Sequence, residues 1–197
     1  MYVVFGANGR AGGETARALM FQGEAVRVAV RRDDQGAGWK KTGAEVAVAD
    51  LDDIESVAAA MRGATAAFLL NPPPMGGDPY ERANRVGSTL AEAIRRSGLV
   101  DIVVLSSIGA QHSAGNGVIA TLHRLERLLA GITPRITFLR CGYFVETWEE
   151  VAGAAIAEGT LPSFLQPTQK IPMLSTIDVG AAAARLLREG GHGEPEG

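Results

Sequence analysis

The chain has 197 residues and a formal net charge of −3, with 46% hydrophobic and 21% charged residues. This composition is ordinary for a soluble globular protein, and the mild acidity predicts no general attraction to nucleic acid or to anionic membranes. The single cysteine, Cys141, excludes an internal disulfide and fits a reducing compartment. No signal peptide precedes the first apolar segment, and no window approaches about 18 uninterrupted apolar residues, so we expect a cytoplasmic protein without a membrane span.

Short β-branched segments alternate along the chain with longer segments of helical periodicity. The predicted strands are residues 2–5, 25–30, 45–49, 66–70, 102–105 and 136–139. The predicted helices are residues 14–22, 53–62, 80–97, 118–130, 145–158 and 177–189. Because the strands show little alternation and are separated by helices, they predict a parallel sheet with helices on both faces. Right-handed crossovers then give a doubly wound α/β (Rossmann) fold with strand order 3-2-1-4-5-6 and a ligand crevice where that order reverses.

A glycine-rich turn joins the first strand to the first helix. Gly6 permits a tight turn, Gly9 lets the backbone approach a pyrophosphate, and Gly12 lets the helix pack on the strand. The helix N-terminus then offers N–H groups and a partial positive charge to phosphates. In this position the motif predicts a dinucleotide site, the alternative being a turn without a ligand. Its predicted members are Gly6, Asn8, Gly9, Arg10, Ala11 and Gly12.

Two arginines follow the second strand, where NAD enzymes usually have Asp or Glu to hold the ribose 2′-hydroxyl. A carboxylate would repel a 2′-phosphate, whereas a guanidinium binds it through a planar fork. Arg31 therefore favours NADP(H) over NAD(H), and Arg10 is expected to approach the same phosphate. In the alternative, Arg31 and Arg32 are only solvated charges, and Asp33 or Asp34 contacts the ribose instead.

The third strand leads into an acidic segment that borders the adenine in this fold. The Asp50 carboxylate could accept from the adenine amino group, and the Leu51 N–H could contact a ring nitrogen. Alternatively, Asp50 caps the next helix, which Asp52 and Asp53 open. Both roles can hold together, with Asp50 at the adenine and a later aspartate as the cap.

Further segments occur in a fixed order after these: Leu70-Asn71-Pro72, Leu105-Ser106-Ser107-Ile108-Gly109-Ala110, Leu122-His123-Arg124-Leu125-Glu126 and Leu139-Arg140-Cys141-Gly142-Tyr143-Phe144-Val145-Glu146. With the G-x-x-G-x-x-G turn, this set resembles the NmrA-like atypical short-chain dehydrogenase/reductases over nearly the whole chain. That family includes NAD(P)H-dependent quinone reductases, related small-molecule reductases and cofactor-binding redox sensors. The resemblance therefore implies an NAD(P)-binding protein.

The resemblance also implies where the cofactor lies. It implies that Asn71 and Pro72 lie near the central ribose of the cofactor. It also implies that Ser106 and Ser107 lie beside the nicotinamide. The wall against the nicotinamide ring is implied to be Cys141, Tyr143 and Phe144. Many relatives have proline in place of Cys141, so the backbone there is expected to be less fixed.

The last part of the chain is short for the family. We expect residues 1–189 to form the NAD(P)-binding domain, residues 142–189 contributing a small substrate-side lobe, and residues 190–197 to form a flexible tail. Relatives typically continue beyond the last predicted helix. The substrate pocket is therefore expected to be incomplete, open or supplied by a second subunit, in a monomer or a homodimer.

The usual catalytic pair of short-chain reductases, Tyr-x-x-x-Lys, is absent. None of the three tyrosines, Tyr2, Tyr80 and Tyr143, is followed four residues later by lysine. On the helix that normally carries the pair, His123 and Glu126 are three residues apart and share a face, so the carboxylate could orient a proton-donating imidazole. Alternatively, the two form a surface pair, or the histidine packs the helix on the sheet.

Quinone reduction needs less machinery, because a quinone accepts hydride readily and positioning supplies most of the acceleration. We therefore expect direct, NADPH-dependent hydride transfer to a small apolar acceptor such as a quinone, with His123 and Tyr143 as candidate catalytic residues. For any one of the candidates for an apolar wall, ordinary core packing is the alternative that its residue type favours; the candidates are Met75, Tyr143, Phe144, Trp148, Phe164 and Met173. The alternative function is a non-catalytic NADP(H) redox sensor that binds a protein partner. No metal-type spacing is present.

Overall fold

A six-stranded parallel sheet forms the centre of the computed structural model, which describes residues 1–73, 76–133, 135–163, 165–166 and 168–190. Its strands are β1 (Tyr2–Phe5), β2 (Val26–Val30), β3 (Glu45–Val48), β4 (Ala66–Leu69), β5 (Asp101–Ser107) and β6 (Arg135–Cys141). The strand order is β3-β2-β1-β4-β5-β6, so the predicted topology is confirmed. The order reverses between β1 and β4, and the crevice at their carboxyl ends lies there.

Helices cover both faces of the sheet. They are α1 (Arg10–Phe21), α2 (Ala37–Lys41), α3 (Ile54–Met61), α4 (Pro79–Ser97), α5 (Ala120–Leu129), α6 (Glu149–Glu158) and α7 (Thr176–Glu189). Helices α3, α4 and α5 pack side by side on one face, whereas α1 and α7 pack together on the other. Consecutive residues of one strand therefore enter different cores: Val3 packs toward α4, and Val4 packs toward α1 and α7. This explains why the strands show no polar alternation.

The structure differs from the predicted elements at several boundaries. Helix α1 begins at Arg10, four residues before the predicted start, because its glycines pack on the preceding turn and override their low helix propensity. Residues 145–148 form a 3₁₀ turn before α6. Two-residue strands β7 (Tyr143–Phe144) and β8 (Met173–Leu174) form a separate parallel pair that is too short to predict from periodicity.

Three parts of the chain that carry sequence predictions are outside the region that the structure describes. Met75, Phe164 and residues 191–197 of the predicted tail lie outside the described residues. Among the residues that the structure does describe, no helix combines the length and the apolar character needed to cross a membrane.

Candidate functional site

The glycine turn brings β1, α1 and the end of β4 into close contact. Gly6 has a φ of 70°, and a Cβ there would lie 2.6 Å from Leu70 Cδ2. The Gly9 N–H donates to the Gly6 carbonyl at 2.9 Å, which closes the turn. A Cβ at Gly12 would lie 2.4 Å from that same carbonyl oxygen. The tight turn and the close helix packing are therefore as predicted, while the phosphate contact of Gly9 stays a prediction.

The N-terminus of α1 keeps its backbone donors available. Gly9, the residue before the helix, provides no side-chain cap, and the first turn contains no acidic residue. The Ala11 side chain is buried in the core, so its backbone N–H is the group that could meet a ligand. An anion placed at this end would gain both N–H donors and the favourable end of the helix dipole.

Asn8 ties the glycine turn to the segment that follows β2. Its Oδ1 accepts from Trp39 Nε1 at 2.9 Å, and its Nδ2 donates to the Gln35 carbonyl at 3.1 Å. Trp39 is buried, and the Arg17 guanidinium lies 5.7 Å from its ring centroid. The Asn8 side chain thus holds the turn in place, a role that its position in the motif did not predict.

The charges around Arg31 are paired within their own segment. Arg32 Nε donates to Asp34 Oδ1 at 3.1 Å, and Lys40 Nζ lies 2.7 Å from Asp33 Oδ1. The hydrogen bond from Arg32 lowers the pKa of the Asp34 carboxyl. Both carboxylates that could contact the ribose therefore have cationic partners, while the contact of Arg31 with a cofactor stays a prediction.

Arg31 lines a cavity of about 380 Å³, called here the arginine cavity, between the end of β2 and the start of α4. Its other lining residues are Gly76, Gly77, Asp78, Glu81, Arg82 and Arg85. Arg10 does not line it, and its guanidinium lies 3.1 Å from Glu150 of α6. That Arg10 and Arg31 approach one phosphate stays a prediction, and in this structure α6 supplies Arg10 with a carboxylate partner. Arg82 and Arg85 carry no motif that would predict them from the sequence.

The acidic segment after β3 is predicted to cap the next helix and to contact adenine. Asp53 caps α3 by accepting from the Glu55 N–H at 3.1 Å, and Asp50 Oδ1 accepts from the Asp52 N–H at 3.0 Å. The cap is thus the later aspartate, as the combined interpretation required. Asp50 remains exposed beside the end of β3, and Leu51 packs against the core. Their contact with adenine stays a prediction.

A second cavity of about 460 Å³, called here the apolar cavity, lies at the carboxyl ends of β4, β5 and β6. Six residues of the predicted cofactor site line it: Asn71, Ser106, Ser107, Cys141, Tyr143 and Phe144. Pro72 lines neither cavity. The remaining lining, which lies outside the predicted cofactor-site residues, is Leu70, Leu105, Ile108, Ile119, Leu122, Gly142, Leu165, Ile171 and Pro172.

The aromatic side of the apolar cavity is built on β7. The Tyr143 N–H donates to the Pro172 carbonyl at 2.9 Å, and a Cβ at Gly142 would lie 2.5 Å from that oxygen, so the close approach of the two segments requires glycine. The Tyr143 ring lies 5.7 Å from the Trp148 ring, centroid to centroid. Trp148 therefore supports the wall from behind, and Met173, also a predicted wall residue, does not line the cavity.

Glu126 faces the sheet and joins two strands below the apolar cavity. Its Oε1 accepts from Ser106 Oγ at 2.5 Å, and its Oε2 lies 2.6 Å from Arg140 Nη2. This hydrogen bond raises the pKa of Arg140. Glu126 is only 7% exposed, so it is a buried carboxylate with its donors in place.

The predicted pair of His123 and Glu126 does not form. Glu126 is occupied by donors from β5 and β6, and His123 Nδ1 lies 2.8 Å from the Ala110 carbonyl oxygen. Three-residue spacing places two side chains on one side of a helix, but here the stronger donors lie toward the sheet. His123 also lines neither cavity.

Cys141 lines the apolar cavity as a thiol. Burial raises its pKa from the ordinary 9.0 to about 11. At neutral pH the group is therefore protonated, which excludes a ready thiolate nucleophile.

We expect this thiol to make the protein less stable at alkaline pH. Between pH 9.0 and about pH 11 the unfolded chain loses the Cys141 proton while the folded chain keeps it. The free energy of unfolding therefore falls as the pH rises through that window, by about 3 kcal/mol, and is unaffected below it. Chemical unfolding across this range should show the fall, and Cys141→Ala should remove that part of it. Identical pH slopes in the two proteins would contradict the assignment.

Comparison with known proteins agrees with this architecture. The model of the NmrA-like family matches residues 2–192. Quinone oxidoreductase 2 of Escherichia coli (strain K12) is 24% identical over 194 residues, which cover 98% of this chain and 65% of that protein. Sterol demethylase protein B of Methylococcus capsulatus is 36% identical over 116 residues, 55% of this chain and 34% of that protein. The chain thus spans less than two thirds of the length of either relative.

Solved structures match over almost the whole chain. The NADPH-dependent quinone oxidoreductase from Escherichia coli, crystallised with NADPH, has a TM-score of 0.83 at 26% identity over 98% of this chain and 66% of that one. Triphenylmethane reductase of Citrobacter sp., complexed with NADP(H), has a TM-score of 0.82 at 20% identity over 98% and 67%, and supports the fold. Because the family model covers nearly every residue and the fold agrees with it, the chain belongs to the NmrA-like family.

Proposed function

We propose that the protein is an NADPH-dependent oxidoreductase that transfers hydride directly to a small apolar acceptor such as a quinone. One observation carries the proposal: Leu70 both packs against Gly6 of the glycine turn and lines the apolar cavity. A dinucleotide with its pyrophosphate at the N-terminus of α1 would therefore have one end at this cavity. Its other end would lie toward Arg31, which follows β2.

The residues around the turn fit such a cofactor. Gly6 and Gly12 allow the tight turn and the close packing of α1 on the end of β1, and the first turn of α1 has no side-chain cap. Asn71 Oδ1 is buried without a hydrogen-bond partner among the described residues, and Asn71 lines the apolar cavity. A buried acceptor without a donor is costly, and a ribose hydroxyl would supply the donor. When bound, NADPH supplies the hydride.

The rest of the cavity suits an apolar acceptor. Apolar side chains such as Ile119, Leu122 and Ile171 surround it, and the Tyr143 and Phe144 segment forms one side. Such a lining excludes water and orients a flat ring, and no tyrosine–lysine pair is needed because a quinone accepts hydride readily. The Escherichia coli quinone oxidoreductase complexed with NADPH, at 26% identity, supports both the cofactor and the class of acceptor.

The test is to mix the purified protein with NADPH and a panel of small quinones and to follow the absorbance of the reduced cofactor. We expect oxidation that depends on the quinone. Because Tyr143 serves as an aromatic wall, Tyr143→Phe should keep most of the rate, whereas Tyr143→Ala should lose about tenfold or more in kcat/KM. His123→Gln should match the unmodified protein, since His123 lines neither cavity.

Two outcomes would redirect the proposal. Tight NADPH binding without oxidation by any acceptor would contradict the reductase and favour a redox sensor, the function that the missing Tyr-x-x-x-Lys pair also allows. A loss of about a hundredfold or more in Tyr143→Phe would instead make the phenol a proton donor, as general acids typically contribute that much.

A further inference from the structure

The arginine cavity contains more cationic groups than the sequence motif accounts for. Arg31 enters it from the end of β2, while Arg82 and Arg85 enter from the first turns of α4. These elements are about fifty residues apart in sequence, so no local pattern links them. Three guanidinium groups line this one cavity. Each is planar and offers several N–H donors, which suits the binding of a phosphate group.

Asp52 stands beside two of these arginines and is shared between them. Its Oδ2 lies 3.7 Å from Arg82 Nη1, and its Oδ1 lies 3.5 Å from Arg85 Nε. Both distances are longer than a charge-assisted hydrogen bond, so this one carboxylate orients the two guanidinium groups without saturating their donors.

Arg82 is the more buried of the two arginines that lie beside Asp52. Its side chain is 24% exposed, against 59% for Arg85. Its Nε is buried and has no hydrogen-bond partner among the described residues. A buried N–H without an acceptor is unfavourable, and a ligand oxygen that reorients the guanidinium would relieve this.

The carboxylates of the cavity restrict what it can bind. Asp78 Oδ1 accepts from the Tyr80 N–H at 2.7 Å and thereby caps α4, so it is already engaged. Glu81 also lines the cavity and opposes an anion. The three guanidinium groups outnumber the two lining carboxylates, and a phosphate monoester near Arg31 would meet donors from two sides.

We propose that Arg82 is a specificity-determining residue for the 2′-phosphate of NADP(H), acting with Arg31 from the opposite side of the arginine cavity. Asp52 lies beside Arg82 as its carboxylate neighbour. The inference rests on the proposed function, because it assumes that the adenosine end of the dinucleotide lies beside β2. It adds α4 to a site that the glycine turn and β2 alone would define.

The test measures binding of two fragments, adenosine 2′,5′-bisphosphate and adenosine 5′-monophosphate, by isothermal titration calorimetry. Arg82→Gln should weaken the bisphosphate about tenfold to a hundredfold, the loss expected for hydrogen bonds to a charged group, and change the monophosphate less than about twofold. Arg95→Gln is the matched control, since Arg95 lies on the same helix beside Glu92 and outside the cavity. It should change neither affinity.

A second variant changes affinity in the opposite direction. Glu81→Gln removes a lining carboxylate and should strengthen the bisphosphate about twofold to fivefold, again without changing the monophosphate. Equal weakening of both fragments by Arg82→Gln would overturn the proposal, since Arg82 would then serve the adenosine or the fold. Unchanged bisphosphate affinity would overturn it as well.

These readouts separate this inference from the proposed function. If the protein selects the bisphosphate through Arg82 but none of the acceptors supports oxidation of NADPH, the inference holds and the reductase fails. If it reduces quinones yet binds both fragments equally, the reductase holds and the inference is overturned.

Discussion

Gly12→Ala is expected to lower the free energy of unfolding by about 3 kcal/mol and to abolish dinucleotide binding. A Cβ at this position would lie 2.4 Å from the Gly6 carbonyl oxygen and 2.8 Å from the Phe5 carbonyl oxygen. Both are backbone atoms at the end of β1, so no side chain can rotate away to make room. Helix α1 must move off the strand, and its N-terminal N–H groups move with it.

Gly153→Ala provides a matched control in another helix. Gly153 lies inside α6, and a Cβ there would meet no atom within 4 Å. The change should be neutral or stabilise the protein by about 0.5–1 kcal/mol, because alanine loses less backbone entropy in a helix than glycine. Urea unfolding and NADPH titration measure both effects. A Gly12→Ala protein with unchanged stability and affinity would show that α1 can shift at no cost.

Much of the fold is predictable because its causes are local in the sequence. A strand buried on both faces must be apolar at consecutive positions, as at Val3 and Val4, and this pattern differs from both a helix and a half-exposed strand. The glycine turn is predictable for the same reason, since a side chain at Gly12 would collide with the nearby backbone of Phe5 and Gly6.

The site is less predictable where it depends on contacts between distant elements. Glu126 was assigned to His123, three residues away, but its partners are Arg140 and Ser106, 14 and 20 residues away on two strands. No spacing rule distinguishes these possibilities, because the choice depends on which side of α5 faces the sheet. Sequence alone also could not show that Arg10 faces Glu150, since α6 approaches the turn only in the folded chain.

The apolar lining illustrates the same limit. Ile119 and Leu122 are three residues apart, which is a visible helical pattern, but the pattern equally fits ordinary core packing. Only the position of the helix end beside β5 and β6 makes them part of a cavity. The sequence therefore identifies the strand ends that line the apolar cavity, whereas the lining residues from helices and long loops can be identified only from the structure.

Glu126→Ala is expected to lower the free energy of unfolding by about 2–3 kcal/mol, since it leaves a buried hydroxyl and a guanidinium without their acceptor. Ser106 is 4% exposed, so bulk water has little access to the hydroxyl that loses its acceptor. The Arg140 side chain is 38% exposed and can turn toward solvent, which keeps the effect below that of a fully buried pair. Denaturant unfolding measures the loss.

The surface pair of Glu92 and Arg96 provides the control, because it has a similar geometry, with Nε donating at 2.8 Å, but lies on the exposed side of α4. Glu92→Ala should leave the unfolding free energy almost unchanged. A double-mutant cycle then separates the partners: if the Ser106 hydrogen bond contributes, Ser106→Ala should destabilise the protein much less when Glu126 is already alanine. Additive effects would mean that Glu126 acts on stability through Arg140 alone and that the hydroxyl beside the apolar cavity is held by other contacts.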